Sequence, residues 1–161
     1  MKKIFMIAIA MLGFVAMVGA TTNVMASDLG INTLSATTVS YLGGFTSVNM
    51  NGEAKNPVSD KVTTVVSDGN TISSLSSESF KVGNMPGSIQ IEASNLAIDT
   101  ATGVFSGSCT VKLTIVGIPQ KYTGTIIGSI VNGKLTYTVE CPAKWLGVSF
   151  DTEVTFEGEE I

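Results

Sequence analysis

An alternation of apolar and small polar residues runs through the C-terminal two-thirds of the chain. It is clearest over residues 105–115, where Phe105, Cys109, Val111 and Leu113 share one parity while Ser, Thr and Lys occupy the other. Successive side chains of a strand point to opposite faces, so this period of two predicts strands with one apolar face. Beyond the N-terminal segment the chain shows no convincing 3.6-residue period. The pattern therefore predicts an all-β domain.

Turn residues divide the alternating segments into eight predicted strands. The turns lie at Asp68-Gly69-Asn70, at residues 99–103 and at Asn132-Gly133, of which the last is the strongest hairpin signal. Closing an antiparallel meander removes its exposed edges, so these consecutive strands favour an eight-stranded up-and-down β-barrel. A Greek-key sandwich is the alternative, although the longest gap is only 51–59. The predicted strands are 38–50, 60–67, 71–82, 87–98, 103–116, 120–131, 134–142 and 147–157.

The first residues have the composition of a secretory signal peptide. Lys2 and Lys3 precede an apolar run over residues 4–18, and small residues follow it. We expect cleavage after Ala26, with Ala20 as second choice, because the run is short for a bilayer core of about 30 Å. The predicted organisation is a signal peptide over 1–26, a lead-in over 27–35 and a barrel domain over 36–161. The absence of Cys near the cleavage site excludes a lipoprotein, so we expect a periplasmic or extracellular protein.

The composition excludes several classes of function. Loss of Lys2 and Lys3 leaves seven lysines against thirteen acidic groups, a net charge of −6, and the chain has no Arg. Nucleic-acid binding needs clustered basic residues and is therefore not expected. The absence of His excludes His-based catalytic dyads and zinc sites, and no cofactor motif is present. We expect a non-catalytic protein without cofactor or metal. A hydrolase using Asp151 and Glu153 ranks last, because both lie on the predicted outer face.

Several short motifs resemble those of the calycin-like β-barrel family of secreted bacterial proteins. The resemblance spans roughly residues 36–158. It implies an up-and-down barrel shaped like those of lipocalins and fatty-acid-binding proteins, without a settled activity. The Gly-x-Trp signature of true lipocalins is missing at the first strand, so no lipocalin ligand site is carried over. The motifs are Tyr41-Leu42-Gly43-Gly44-Phe45, Val82-Gly83-Asn84-Met85-Pro86-Gly87, Phe105-Ser106-Gly107, Asn132-Gly133-Lys134-Leu135 and Val154-Thr155-Phe156-Glu157-Gly158.

One end of the predicted barrel carries the candidate ligand site. Successive connections of a meander fall on alternate ends, so one end receives residues 51–59, 82–87, 116–120 and 142–146. Apolar residues gathered at one rim indicate binding, although the same residues can instead plug the end of the barrel. The predicted ligand contacts are these rim residues and two inward tyrosines: Met85, Pro86, Ile118, Pro119, Trp145, Leu146, Tyr122 and Tyr137.

Three functions are compatible with this pattern. The first is an exported binding protein for a small apolar ligand at the barrel mouth. The second is a structural or protein-interaction module that docks through the same apolar rim. The third is a small outer-membrane barrel, whose strands alternate as cleanly. The chain lacks paired aromatic girdles and runs past Phe156 into an acidic segment that contains Glu157, Glu159 and Glu160, which disfavours this function.

The two cysteines are predicted on the inner face of strands separated by one other strand. Cys109 and Cys141 are then nearly 10 Å apart along the sheet, whereas a disulfide needs Cα atoms within about 7 Å. An oxidising compartment favours a bridge, but the topology disfavours one.

Overall fold

The computed structural model describes most of the predicted barrel domain. Ala36–Ile161 forms one compact unit. The predicted signal peptide, nearly all of the lead-in, and the predicted ligand contacts Pro86 and Leu146 lie outside the described residues. Within the described part, no helix has the length and apolar character needed to cross a bilayer. The described ranges are 35–85, 87–145 and 148–161, with Trp145, Val148 and Phe150 described by their backbone alone.

The described residues form an all-β domain, as the alternation predicts. Eight of its strands are long and build the sheet. The other two are short additions at its ends, β2 beside β1 and β6 beside β4. The strands are β1 Thr37–Met50, β2 Glu53–Lys55, β3 Val58–Ser67, β4 Thr71–Ser77, β5 Gly87–Ala93, β6 Leu96–Ala97, β7 Val104–Ile115, β8 Ile118–Val131, β9 Lys134–Trp145 and β10 Val148–Glu160.

The long strands close into an antiparallel up-and-down barrel. Each pairs with the next long strand along the chain, in the order β1, β3, β4, β5, β7, β8, β9, β10. The last strand then pairs with the first, from Tyr41 opposite Glu160 to Met50 opposite Thr152. This pairing confirms the predicted fold class and leaves the long strands paired on both sides.

Several strand boundaries and one connection differ from the prediction. The strand predicted over 71–82 ends at Ser77, and the one predicted over 87–98 divides at Asn95, which adopts the left-handed conformation with φ 56°. The expected loop at 116–120 is a two-residue turn, since β8 begins at Ile118. The strand predicted over 134–142 continues through Pro142, which pairs with Asp151 of β10. In the described residues β8 pairs with β9 as far as Thr125 opposite Glu140. Pro142 has no N–H with which to extend this pairing.

A β-bulge explains why β1 carries apolar residues on both parities. The register between β1 and β10 shifts after Phe45, whose partner is Phe156, so that Ser47 faces Thr155. The extra residue reverses the inward parity. Phe45 and Val48 are both buried although their positions differ in parity.

Packed side chains fill the middle of the barrel. The ring of Phe45 stacks on Phe80 with centroids 3.7 Å apart and meets the edge of Phe156 at 5.5 Å. Tyr137 stacks on the other side of Phe156 at 5.1 Å. Gly128 of β8 makes room for this cluster, because a Cβ there would lie 2.6 Å from Cζ of Phe105 and 2.7 Å from Cβ of Tyr137. Any ligand site inside the barrel must therefore lie towards one end.

Candidate binding site at the barrel mouth

The barrel has two different ends, as the alternation of its connections requires. We use "mouth" for the end that carries the connections after β1, β4, β7 and β9. The opposite end carries the turn at 68–70, the segment 94–103 with β6, and the Asn132-Gly133 turn. Core residues become slightly exposed towards the mouth, as at Ile115 and Ala143, whereas Tyr137 and Phe156 are completely buried.

An Asn-Gly turn shapes one side of the mouth. Asn51 and Gly52 have φ values of 54° and 79° and join β1 to β2, with Met50 opposite Glu53. Two consecutive left-handed residues form the hairpin turn that Asn-Gly sequences favour. The turn is attached to β10, because the Asn51 amide donates to the carbonyl of Asp151 at 2.7 Å and the Asp151 amide donates to Oδ1 of Asn51 at 2.8 Å. Met50 is thereby held at the mouth.

A second turn, at residues 82–85, faces the first. The Met85 amide donates to the carbonyl of Val82 at 3.1 Å. Gly83 is left-handed, with φ 50°, and its α-carbon faces open space. Val82 is buried and Met85 is half-buried against the core, so the turn directs two apolar side chains inward.

An open cavity of about 400 Å³ lies between the two turns. Its apolar lining comes from Met50, Val82 and Met85. Methionine side chains are flexible and polarisable, which suits them to ligands of different shapes. The volume is near the lower end of the range for small-molecule sites. The described residues that line it are Met50, Asn51, Glu53, Lys55, Val82, Gly83, Asn84 and Met85.

The polar border of the cavity is electrically balanced. Nζ of Lys55 lies 2.6 Å from Oε2 of Glu53. The hydrogen bond and the charge of Lys55 lower the pKa of the Glu53 carboxyl, so this carboxyl is ionised at neutral pH. The amides of Asn51 and Asn84 add neutral donors and acceptors at the same border. The cavity thus has an apolar floor and a polar rim.

Of the predicted ligand contacts whose side chains the structure describes, only one lines this cavity. Met85 does so, whereas Ile118 and Pro119 are exposed at the start of β8. Tyr122 is half-buried near the mouth, and its hydroxyl donates to the carbonyl of Lys144 at 2.6 Å. This bond links β8 to β9 on the mouth side of the last backbone pair between them, Thr125 and Glu140. Trp145 ends β9 at the mouth, but its side chain lies outside the described residues.

Tyr137 points inward as predicted, but it lies in the core and not at the mouth. Its side chain is completely buried, and its hydroxyl lies 3.1 Å from Oγ1 of Thr63, which is also completely buried. Burial raises the pKa of the Tyr137 phenol more than the hydrogen bond with Thr63 lowers it. The hydroxyl therefore remains neutral and satisfies a buried partner.

Sequence reasoning missed most residues of the cavity. Met50, Asn51 and Val82 are not among the predicted contacts, although Asn51 and Val82 belong to segments placed on the rim. The Asn-Gly pair at 51–52 is a hairpin signal of the same kind as Asn132-Gly133, and it was available from the sequence. Nothing in the alternation indicates that the turn at 82–85 faces this hairpin.

Other depressions of the described surface have mixed linings. One of about 610 Å³ is bordered by Ser74, Ser76, Glu92 and Ser108 among others, and one of about 420 Å³ includes Asp151 and Glu153. A third, of about 340 Å³, includes the exposed Ile127 on the outer face. The mouth cavity differs from them because two methionines and a valine from two facing turns line it next to the core.

The closed eight-stranded barrel, with a filled centre and a cavity at one end, defines a calycin-type β-barrel. Residues 38–159 match the family described as the Calycin-like beta-barrel domain, and the chain belongs to this family. The resemblance noted from the short motifs is thus confirmed. Searches of curated proteins and of solved structures found no match.

Proposed function

We propose that this protein is an exported, non-catalytic binding protein that holds a small apolar molecule in the mouth cavity. The cavity between Met50, Val82 and Met85 carries the proposal, because it combines an apolar floor with a polar rim next to a filled barrel. Its volume favours a molecule of one to three rings or a short acyl chain over a large lipid. Export is proposed from the basic and apolar N-terminal residues.

The outer surface supports a water-exposed barrel. Lys112 contacts Glu92 across β7 and β5, and Lys134 lies 3.0 Å from Glu157 across β9 and β10. Such charge pairs are costly on a surface that faces lipid. We expect the mature chain to remain monodisperse without detergent, and precipitation unless detergent is added would favour the outer-membrane alternative.

A fluorescent apolar probe tests the binding proposal. The neutral dye 1-aminoanthracene should bind the mature chain with enhanced fluorescence. Met85→Ser should weaken binding about tenfold, since losing about 60 Å² of apolar contact at 25 cal/mol per Å² costs about 1.5 kcal/mol. The matched control is Ile127→Ser, because Ile127 is 59% exposed on the outer face. Equal affinities for the wild type and Met85→Ser, or equal losses in both variants, would contradict the proposal.

Docking to another protein is the second candidate function. The β7–β8 turn presents Val116, 82% exposed, and Ile118, 56% exposed, beside the mouth. If the rim is a docking surface, Ile118→Ser should abolish capture of a protein partner while dye binding stays unchanged. Loss of dye binding in Ile118→Ser would instead extend the ligand site to this hairpin.

A further inference from the structure

Two buried thiols lie on either side of a glycine on the inner face of the barrel. Cys109 of β7 is opposite Gly124 of β8, and Thr125 opposite Glu140 places Cys141 of β9 on the other side of the same glycine. A Cβ atom on Gly124 would lie 3.2 Å from Sγ of Cys109 and 3.2 Å from Cβ of Cys141. These two cysteine atoms are therefore no more than twice that distance apart. Both cysteines are free.

The side chain of Cys141 is directed towards β8. Its Sγ lies 4.0 Å from the carbonyl oxygen of Thr123, the residue before Gly124. Gly124 thus packs against sulfur from one strand and against the Cys141 side chain from the other. A Cβ added at Gly124 would meet both and would lie 2.6 Å from the carbonyl oxygen of Glu140.

The separation of the strands is too long for a disulfide but fits a metal bridge. Cα atoms two strands apart are about 9.6 Å apart along the sheet, and slightly less across a curved barrel. A disulfide spans at most about 7 Å. Replacing its S–S bond of about 2.05 Å by two metal–sulfur bonds of about 2.3 Å each extends the reach by roughly 2.5 Å. A linear S–metal–S unit therefore has about the reach that this separation requires.

The surroundings determine which cation fits. The described residues contain no group of three or more His, Cys, Asp and Glu side chains that could hold a metal ion, so zinc, which prefers four ligands, is not satisfied. Two thiolates suit a soft cation that accepts two ligands. On binding, two S–H bonds break, two protons leave to solvent and two metal–sulfur bonds form. With a divalent ion the product is neutral, so no net charge is buried.

The two thiols lie in one register row of the sheet. The row begins with Met50, Thr152 and Cys141, and Gly124, Cys109 and Ala93 continue it. It runs from the mouth, where Met50 ends β1, to the opposite end, where Ala93 ends β5. Cys109 and Cys141 are 4% and 3% exposed.

We propose that Cys109 and Cys141 form a two-coordinate binding site for a soft, thiol-seeking metal cation. The absence of a side chain at Gly124 lets the two cysteine side chains approach each other. The site is independent of the apolar ligand, because the mouth cavity and the thiol pair share no lining residue.

Mercuric chloride is the probe for this site. The reduced mature chain should take up one mercuric ion and lose two protons by native mass spectrometry. It should retain the ion against excess glutathione, whereas Cys109→Ser and Cys141→Ser should each weaken retention by about 100-fold or more, because the second sulfur binds intramolecularly. Zinc chloride should not be retained. Unchanged retention in either variant, equal retention of zinc, or a Cys109–Cys141 disulfide formed within the folded chain would overturn the proposal.

Gly124→Ala tests the geometry with both thiols present. The added Cβ would meet both cysteine side chains and should abolish retention. Gly128→Ala is the matched control, since its Cβ would also meet backbone and core atoms, at 2.5 to 2.7 Å, but away from the cysteines. Retention by folded Gly124→Ala equal to that of Gly128→Ala would overturn the proposal. If Gly124→Ala does not fold, the cysteine variants decide the question.

Discussion

The hydrogen bond between Tyr137 and Thr63 gives a quantitative test of the filled barrel interior. Tyr137→Phe removes the hydroxyl and leaves Oγ1 of Thr63, completely buried, without its partner. An orphaned buried hydroxyl costs about 1–3 kcal/mol. Thr63→Val should cost a similar amount, because it leaves the Tyr137 hydroxyl unpaired. The double variant Thr63→Val with Tyr137→Phe should recover much of the loss, since it replaces both partners by apolar groups of nearly the same shape.

Urea unfolding followed by circular dichroism measures these differences. For a loss of 2 kcal/mol and a slope of about 1.5 kcal/mol per M, the midpoint of Tyr137→Phe falls by about 1.3 M while the slope stays constant. Dye binding at the mouth should be unchanged, because Tyr137 does not line the cavity. A Tyr137→Phe protein within about 0.5 kcal/mol of wild type, or single-variant losses that simply add in the double variant, would refute the buried pair.

Three further predictions concern Gly128, Val116 and Tyr137. Gly128→Ala should lower the free energy of unfolding by about 1–3 kcal/mol, because the added Cβ would lie 2.5 Å from the carbonyl oxygen of Thr136. Urea unfolding measures this loss, with Ser129→Ala as the control. Val116→Asn should raise the free energy of unfolding by about 1 kcal/mol, because Val116 is in the left-handed conformation with φ 49° and an Asn-Gly pair suits this turn. An unchanged urea midpoint would show that Val116 is not strained. Because burial raises the pKa of Tyr137, folding favours the neutral phenol. This contribution to the free energy of unfolding is complete below pH 10 and is lost as the pH rises above 10. Between pH 8 and pH 11 the melting temperature should therefore fall less in Tyr137→Phe than in the wild type.

The alternation of residues was sufficient to predict the number of long strands, their order and the closure of the barrel. It failed where the pleat is interrupted. The bulge after Phe45 changes the inward parity of β1, and period-two reasoning cannot place such an extra residue in advance. Pro142 indicates the end of a strand, but β9 continues through it. The proline is tolerated because β9 pairs with β8 only as far as Glu140 in the described residues.

The proposed site lies at the end of the barrel where the sequence placed its candidate contacts, but its lining residues are largely different. Parity identified Tyr137 as inward without showing its depth, because depth depends on how the strands are staggered around the barrel. The cavity forms where the turn at 82–85 faces the Asn51-Gly52 hairpin, and this contact joins segments 30 residues apart. Met50 lines the cavity because it ends β1 just before that hairpin, which lay within a stretch expected to be a loop.

Methyl NMR of methionine tests the mouth site most directly. The chain that the proposed cleavage after Ala26 would leave contains two methionines, Met50 and Met85, and both line the cavity. In a sample labelled with ¹³C at the methionine methyl groups, addition of 1-aminoanthracene should shift both signals with the affinity measured by fluorescence. Dye binding that leaves both methionine signals unmoved would place the ligand elsewhere and contradict the proposed site.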